Sequence, residues 1–295
     1  MPKEKEPLIS AGGQAVIEGV MMRSQDRYAI AVRKKDGSIK VRQQTIDSLA
    51  KKYPLLQWPF LRGIHALCQM LLIGMRALTY SANEAAEEED QEIHTWELVF
   101  SILLVLVFAL FFFKFLPLLV ARYFETHFPL VEKSALLFSL IDGLVKILFF
   151  FLYLIIISLS KDVQRVFAYH GAEHKAVYCY EHRRALTVKN VRAFRTMHPR
   201  CGTSFILYVL LLSIFLYAFL PNHLSFAWKY FWRILLLPVI AGISYEVLKI
   251  SAKFQHQLFF RILTLPGLAL QKITTKEPDH KQMKVAIAAL KRVIQ

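Results

Sequence analysis

The most distinctive chemical pattern in this chain is a pair of histidines, His170 and His174, four positions apart. If the segment is helical, both imidazoles project from one face about one turn apart, which suits a shared metal ion. The stretch Asp162–His182 contains no proline and continues from a long apolar segment, so it predicts a helix. Both histidines are therefore candidate ligands of a divalent metal such as zinc.

Glu173 stands directly before His174 and completes the order His-x-x-Glu-His. Inverted zinc peptidases use the same order, and there the glutamate is the general base that takes a proton from the attacking water. We therefore expect Glu173 to be catalytic if the two histidines bind metal. The alternative is two histidines of a basic loop beside a glutamate that forms an ordinary salt bridge.

A second polar motif, His198-Pro-Arg-Cys-Gly-Thr-Ser, directly precedes a later apolar segment. His198 and Cys201 are separated by two residues, as in many zinc sites, and Arg200 between them is a candidate substrate contact. The alternative is a simple helix entry, in which proline and glycine shape the turn and a hydroxyl group caps the helix. That alternative leaves the presence of the histidine and the cysteine unexplained.

Acidic residues inside the apolar segments form a third group of candidates. Glu246 lies in such a segment, near its predicted cytoplasmic end, and joins the candidate metal ligands because a buried acid is costly in a membrane. Pairing with Lys249 or Lys253 at headgroup level explains it equally well. Asp142 and Lys146, four positions apart in another segment, are predicted to form a structural ion pair.

Long apolar stretches must position these residues. A membrane-spanning helix needs ~20 mostly apolar residues. The stretches that meet or approach this length are Trp96–Val120, Ala135–Leu159, Phe205–Leu220 and Phe231–Ile250. The predicted fold is therefore mainly α, a four-span transmembrane helical bundle.

The Lys and Arg content of the loops predicts the orientation of these spans. Loop 160–204 holds nine such residues, whereas the loops after the first and third spans hold two and one. The positive-inside rule then places both termini and loop 160–204 in the cytoplasm, and brings the candidate ligands to similar depth. Two histidines with a glutamate would form an open catalytic site, and two histidines with His198 and Cys201 a filled structural one.

The composition is typical of a membrane protein in a reducing compartment. Apolar residues make up 55% of the 295 residues, above the ~45–50% of soluble domains, and the formal charge is +15. Because basic residues flank the apolar stretches, anionic lipid headgroups are the expected partners and nucleic acid is not. Three cysteines fit no disulfide framework, which favours a reducing, cytoplasmic setting, and the N-terminus shows no pattern of a cleavable signal peptide.

Residues 1–50 are predicted to form a small cytoplasmic region that contains β-structure. Tyr28–Val32 and Ser38–Arg42 alternate around a Lys-Asp-Gly turn, which is typical of a hairpin, and Gly12–Arg23 before them predicts a plain edge strand. Residues 51–95 add an acidic linker and an interfacial amphipathic helix, whose apolar stripe includes Leu71 and Leu78. Residues 96–250 are predicted to form the transmembrane domain. Residues 251–295 are predicted to form cytoplasmic or interfacial helices, the last of them an amphipathic helix at Asp279–Val293.

Five sequence blocks together resemble the YqhQ-like family of bacterial multi-pass membrane proteins: GGQAVIEGVMMR, HGAEHKAVYCYE, HPRCGTSF, YEVLK and PGLALQKITTKEPDHKQMKVAIAAL. The block order matches, and the resemblance covers most of the chain. It implies an inner-membrane location, a metal-dependent enzyme, and a metal role for the HGAEH and HPRCGTS blocks. It also makes Gln14, Glu18 and Arg23, which belong to the opening motif of the family, candidate substrate-binding residues.

Functions from three classes are compatible with these patterns. The first is a metal-dependent hydrolase at the cytoplasmic membrane surface, with Glu173 as the base. The second is a non-enzymatic scaffold or regulator, in which the His/Cys/Glu cluster is a four-coordinate structural site. The third is a transporter, which is disfavoured because the spans carry few ionisable groups at mid-bilayer and show no repeat symmetry.

Overall fold

The computed structural model describes residues 8–46, 49–86, 95–221, 223–254 and 257–295. They form a mainly helical protein with a small antiparallel sheet near the N-terminus. The strands pair in the order β1-β2-β3-β4 and comprise β1 (Gly12–Val16), β2 (Gly19–Arg23), β3 (Arg27–Arg33) and β4 (Ile39–Thr45). The predicted hairpin is confirmed as β3 and β4, and Gly37 in its turn has a φ of +85° that favours glycine.

The opening motif forms two strands, β1 and β2, and not the single predicted edge strand. Ala15 lies opposite Val20, and the chain reverses at Ile17 and Glu18. Glu18 adopts a φ of +50°, a region that non-glycine residues seldom occupy. Its residue type therefore gave no signal for a turn.

The helices follow in chain order. They are α1 (Leu49–Lys52), α2 (Leu61–Ala85), α3 (Thr95–Leu110), α4 (Leu116–His127), α5 (Pro129–Glu132), α6 (Ala135–Ser158), α7 (Lys161–Glu181), α8 (Val188–Arg192), α9 (Thr203–Tyr217), α10 (Phe226–Leu235), α11 (Leu237–Lys253), α12 (Leu258–Thr274) and α13 (His280–Ile294). A 3₁₀ turn forms at Pro54–Gln57, and a π-helical turn at Phe111–Phe115 joins α3 to α4.

Helices cover both faces of the sheet. Successive strand residues point to opposite faces, so a strand buried on both sides is an unbroken apolar run such as Tyr28–Val32. One face packs on α7 and α13 through Val20, Met22, Ala29 and Ala31. The other face packs on α2 through Met21, Ile30, Val32, Ile73 and Ala77. The sheet thus joins the N-terminal and C-terminal parts of the chain in one packed unit.

The predicted final amphipathic helix is confirmed as α13. Its first turn is a capping box: the Gln282 N–H donates to the Asp279 carboxylate at 2.6 Å, and the Asp279 N–H donates to Gln282 Oε1 at 2.9 Å. Met283, Ala286 and Leu290 form the face that is buried against the sheet. This helix therefore closes the core that surrounds α7.

The predicted amphipathic helix after residue 51 corresponds to α2. Leu71 and Leu78 of the predicted stripe are exposed, and the face that packs on the sheet carries Ile73 and Ala77. An interfacial location would bury the exposed leucines.

Two helical segments are long and apolar enough to cross a membrane, Leu103–His127 and α6. The pair α10 and α11, bent by 42°, makes a third if it is one span. Pro238 lies in the first turn of α11 and donates no backbone hydrogen bond there, which accounts for the break. The 15 residues of α9 extend about 22 Å, less than the ~30 Å core of a bilayer. By length and composition, the described helices thus include two or three candidate spans, and the fourth span that the sequence predicts is not confirmed.

Helices α6 and α9 lie side by side and antiparallel. Gly143 in the first half of α6 meets Ile214 near the end of α9, and a Cβ at this glycine would lie 2.1 Å from the isoleucine side chain. Phe150 and Leu154 in the second half of α6 pack around Leu210, which is nearer the start of α9. Because α7 begins at Lys161, directly after α6, the start of α9 and the start of α7 lie at the same end of α6.

Candidate metal site

Helix α7 carries His170, Glu173 and His174, as the sequence predicts. The helix spans Lys161–Glu181, and the two imidazole centroids lie 4.4 Å apart. The i,i+4 spacing therefore places both rings on one face of a regular helix.

Cys201 joins these two histidines, and we call the three residues the histidine cluster. One ligand atom from each of His170, His174 and Cys201 lies within 4.8 Å of the others. The cysteine comes from the turn before α9, 31 positions from His170, and its Sγ lies 3.2 Å from His170 Nε2. Two nitrogens and a sulfur at this separation are a donor set typical of zinc.

Backbone carbonyls fix the orientation of both imidazoles. His170 Nδ1 donates to the Thr274 carbonyl at 2.8 Å, and His174 Nδ1 donates to the Thr196 carbonyl. Since a carbonyl only accepts, Nδ1 carries the proton in the neutral form of each ring, and Nε2 then keeps its lone pair. This carbonyl–imidazole contact is the outer-shell arrangement of metal-ligating histidines.

His174 Nε2 is a buried nitrogen without a hydrogen-bond partner among the described residues. Burial lowers the pKa of this imidazole, which favours the neutral form that binds metals. An unpaired buried nitrogen is costly in a folded protein, and coordination of an ion would satisfy it. The residues therefore fit a metal ion.

Cys201 is held at the N-terminal end of α9. The Thr203 N–H and hydroxyl group donate to its Sγ at 3.5 and 3.3 Å. These two donors fix the position of the sulfur beside the histidines. Cys201 and His170 are only partly buried, so the cluster is accessible from one side.

Glu173 is a buried carboxyl group beside the cluster. Its Oε2 lies 3.4 Å from His174 Nε2. Burial raises the pKa of Glu173, and this effect exceeds the opposing influence of nearby His170, His198 and the Gly13 N–H that donates to the carboxyl group. A carboxyl group with a raised pKa beside a candidate ion is suited to proton transfer.

His198 lies close to the cluster but is not one of its three ligands. Its ring centroid is 5.7 Å from that of His174, and both of its nitrogens have other partners. Nδ1 accepts from the Arg200 N–H at 3.2 Å, and Nε2 donates to Glu181 at 3.3 Å. Burial lowers the pKa of this imidazole as well, so it is a neutral ring that holds Arg200 and Glu181 together.

Glu246, the remaining predicted ligand, is not part of the cluster. Its carboxylate accepts from Arg62 Nε at 2.7 Å and from the Phe60 N–H at 3.2 Å. Arg62 at the start of α2 therefore neutralises the acid. The sequence alone does not reveal this pairing because the two residues are 184 positions apart.

A family model described as "Protein of unknown function (DUF1385)" matches residues 58–295. The chain belongs to this family. It is 34% identical over 310 residues to the "Uncharacterized protein YqhQ" of Bacillus subtilis (strain 168), with 100% of this chain and 95% of the relative covered. The YqhQ-like resemblance is thus confirmed at the level of the family. No solved structure matches the chain.

The opening motif of this DUF1385 protein packs against α2 and α7. The Gln14 amide lies against Gly74 of α2, and Arg23 donates to Gln69 Oε1 and Met70 Sδ on the same helix. Gln14 and Arg23 therefore have partners within the protein. Glu18, the third residue predicted from the resemblance, has several.

Glu18 links the turn between β1 and β2 to α7. Its carboxylate accepts from Arg33, from Arg165 and from the Tyr169 hydroxyl group, at 3.2, 2.7 and 3.2 Å. Burial raises the pKa of Glu18, but the hydrogen bonds and charges of the two arginines outweigh it, so the pKa lies below its ordinary value. The site thus has an ion-paired connection to the sheet.

The site also depends on contacts with α12 and the segment after it, of which the sequence motifs contain little sign. The Gln271 side chain accepts from the His198 N–H at 2.7 Å and donates to the His198 carbonyl at 2.9 Å, which ties the HPRC turn to α12. A Cβ at Gly171 would lie 2.1 Å from the Lys276 carbonyl oxygen. The glycine in HGAEH therefore lets the chain after α12 approach α7. Its presence in that motif is the sequence feature that indicates this close approach.

Proposed function

We propose that the histidine cluster binds a divalent metal ion such as zinc, and that the protein is a metal-dependent hydrolase at the cytoplasmic membrane surface. The observation that carries the proposal is the orientation of the two imidazoles. Carbonyl groups fix both Nδ1 protons, so both Nε2 lone pairs converge with Cys201 Sγ. Three protein ligands leave a coordination position open, which is typical of catalytic sites.

The proposed reaction is hydrolysis of an ester or amide bond. A bound ion would supply Lewis acidity that polarises the scissile carbonyl or phosphoryl group. Glu173 takes a proton from the attacking water as the new bond to oxygen forms. It returns the proton to the leaving group as the old bond breaks, so the carboxylate is restored. Its buried position beside the cluster supports this role.

Arg200 is the proposed substrate contact closest to the cluster. It lies one residue before Cys201 and its side chain is partly exposed, although it also pairs with Glu181. An accessible guanidinium group suits an anionic or carbonyl-bearing substrate. Gln14, Glu18 and Arg23 are proposed to shape the site from the sheet side through their contacts with α2 and α7.

We also propose a multi-pass inner-membrane protein with four crossings and both termini in the cytoplasm. The antiparallel packing of α6 on α9, and the joint packing of both ends of the chain on one sheet, support an even number of crossings. Anionic lipid headgroups are the proposed membrane partners. A cleft of about 1400 Å³ at the start of α7 supports this, because its lining carries seven Lys and Arg residues against four carboxylates.

Metal analysis of the full chain, purified without chelators, tests the metal site. We expect one zinc-type ion per chain, which His174→Ala removes. His182→Ala, an exposed histidine at the end of the same helix, is the matched control and retains the ion. Metal-free wild-type protein would overturn the proposal.

The enzymatic role is tested separately with Glu173→Gln. We expect this variant to retain the ion and to lose turnover, measured by mass spectrometry of lipids and peptides from membranes that contain either protein. Identical product profiles for the two proteins would contradict hydrolysis.

A structural metal site in a non-enzymatic scaffold is the second candidate. The 3.4 Å between Glu173 Oε2 and His174 Nε2 favours it, because the glutamate could reach the same ion as a fourth ligand. In that case Glu173→Gln weakens metal binding and lowers the thermal stability. In the catalytic case it does neither.

A further inference from the structure

A second polar cluster is buried among the apolar helices. We call Lys114, Asp142, Lys146, Tyr217 and Arg233 the basic cluster. Lys114 belongs to the π-helical turn, Asp142 and Lys146 belong to α6, Tyr217 is the last residue of α9, and Arg233 belongs to α10. The Asp142 and Lys146 ion pair predicted from the sequence is confirmed, but it is only one part of this larger group.

Aromatic and hydrogen-bond contacts bring the three cations to one point. Lys114 Nζ, Lys146 Nζ and Arg233 Cζ lie 5.4, 4.8 and 4.8 Å from the centroid of the Tyr217 ring. Lys114 Nζ donates to the Tyr217 hydroxyl group at 3.1 Å, and that group donates to the Arg233 carbonyl at 2.9 Å. The tyrosine therefore holds cations from three different segments together.

The cluster is deep in the protein. Asp142, Lys146, Tyr217 and Arg233 are each at most 2% exposed. Lys146 lies eleven residues after the start of α6, which is ~16 Å along a helix of 24 residues, and is thus close to the middle of this candidate span. Ionisable groups at this depth are costly and mark functional sites by default.

The charges in the cluster do not balance. Among the described residues of the cluster, Lys146 and Arg233 share one carboxylate, that of Asp142. Arg233 Nη1 lies 2.5 Å from Asp142 Oδ2. Lys114 adds a third positive charge. Arg233 Nε and the second carboxylate oxygen, Asp142 Oδ1, have no hydrogen-bond partner among the described residues. Buried cations without a counter-charge are strongly destabilising, and an anion would correct this.

A cleft leads towards the cluster from the opposite end of α6 to that of α7. It has a volume of about 580 Å³, and its lining includes two basic residues, Arg122 and Lys229, two acidic residues, Glu125 and Glu132, and Phe138. The Phe138 ring separates it from the cluster, since Lys229 Nζ lies 4.2 Å and Arg233 Cζ 5.3 Å from its centroid. Lys229 itself pairs with Glu125 at 2.5 Å, so it does not neutralise the deeper charges.

We infer that the basic cluster is a binding site for a small inorganic anion, such as chloride or phosphate, that enters through this cleft. Three cations within 5.4 Å of one ring supply the charge, and the unpartnered Arg233 Nε–H supplies a donor. The inferred ligand is a compact anion, because the Phe138 ring lies between the cleft and the deeper charges. The basic cluster shares no residue with the metal site. Its charged residues also show that ionisable groups within the apolar helices are more numerous than the sequence analysis assumes.

Thermal unfolding of the purified full chain in detergent tests the inference. Sodium chloride, sodium phosphate and sodium gluconate are compared at equal ionic strength, with gluconate as the anion too large to enter. We expect a saturable rise of a few degrees in Tm with chloride or phosphate and no such rise with gluconate. Equal responses to all three salts would overturn the inference, since they would indicate general screening or neutral lysines.

Variants localise the anion. Lys114→Met is expected to weaken the apparent anion affinity at least ~10-fold, whereas Lys133→Gln, an exposed cation beyond the cleft, leaves it unchanged. If Lys114→Met does not fold, line broadening of chloride in NMR of the wild-type protein, reversed by phosphate, gives the answer without a variant. Unchanged affinity in a folded Lys114→Met protein, or no line broadening, would exclude this site.

Discussion

The histidine cluster and the basic cluster differ in the charge that each leaves uncompensated. In the histidine cluster the unpartnered atom is the lone pair of His174 Nε2, which suits a cation. In the basic cluster the Arg233 Nε–H and Asp142 Oδ1 are both unpartnered among the described residues, and the excess of positive charge there suits an anion. The comparison shows that burial alone does not define a site. The sign of what remains unpaired indicates the ligand class.

The largest effect is expected for Asp142→Asn in the basic cluster. The substitution leaves the buried Lys146 and Arg233 without their shared carboxylate, and removal of one partner from a buried ion pair typically costs ~3–5 kcal/mol. Chemical unfolding in detergent measures the loss. Asp162→Asn, in the exposed first turn of α7, is the control and should cost less than ~1 kcal/mol. Similar losses in both variants would mean that the basic cluster is not electrostatically strained.

A smaller effect is expected for Gly171→Ala in the histidine cluster. The new Cβ would lie 2.1 Å from the Lys276 carbonyl oxygen, so α7 must move, at a cost of ~1–3 kcal/mol. Because the same segment holds His170 through Thr274, the affinity for zinc should fall ~10–100-fold, measured by competition with a chelator. Gly12→Ala, where a Cβ meets no atom within 4 Å, should change neither quantity.

Glu18→Gln is expected to have a still smaller effect, because solvent reaches this ion-paired link. The pKa of Glu18 is below its ordinary value of 4.5 in the folded protein, so the charged form stabilises the fold above pH 4.5. This contribution is lost as the pH falls below 4.5 through the folded value. Acid unfolding curves should show that component in the wild type and not in the variant, with a difference of about 1 kcal/mol that salt reduces. A salt-independent difference would place Glu18 in a drier site.

The smallest effect is expected for His198→Gln, which separates the ligands from their neighbours. Both His198 nitrogens already have protein partners, so the variant should retain one ion per chain with less than ~10-fold change in affinity. His174→Ala in the same assay should lose the ion. Loss of the ion from His198→Gln would restore His198 to the ligand set.

Local patterns predicted the elements that carry both clusters. The i,i+4 spacing places His170 and His174 on one face of any regular α-helix. The long apolar runs predict helices that the hydrocarbon core of a bilayer can surround. Glu246 shows the limit of such patterns. Its place in an apolar segment predicts a metal ligand, but the Arg62 side chain at the start of α2 neutralises its carboxylate.

The sequence by itself determined the helical spacing of the candidate ligands, the strong apolar segments, the hairpin and the final amphipathic helix. These depend on contacts between near neighbours and on side-chain periodicity. Tertiary structure alone decided which carbonyls orient His170 and His174, that Cys201 and not Glu246 meets them, and that Lys114 joins Arg233. The His170–Thr274 contact joins residues 104 positions apart, and the Arg62–Glu246 contact joins residues 184 positions apart. No local pattern encodes such a pairing.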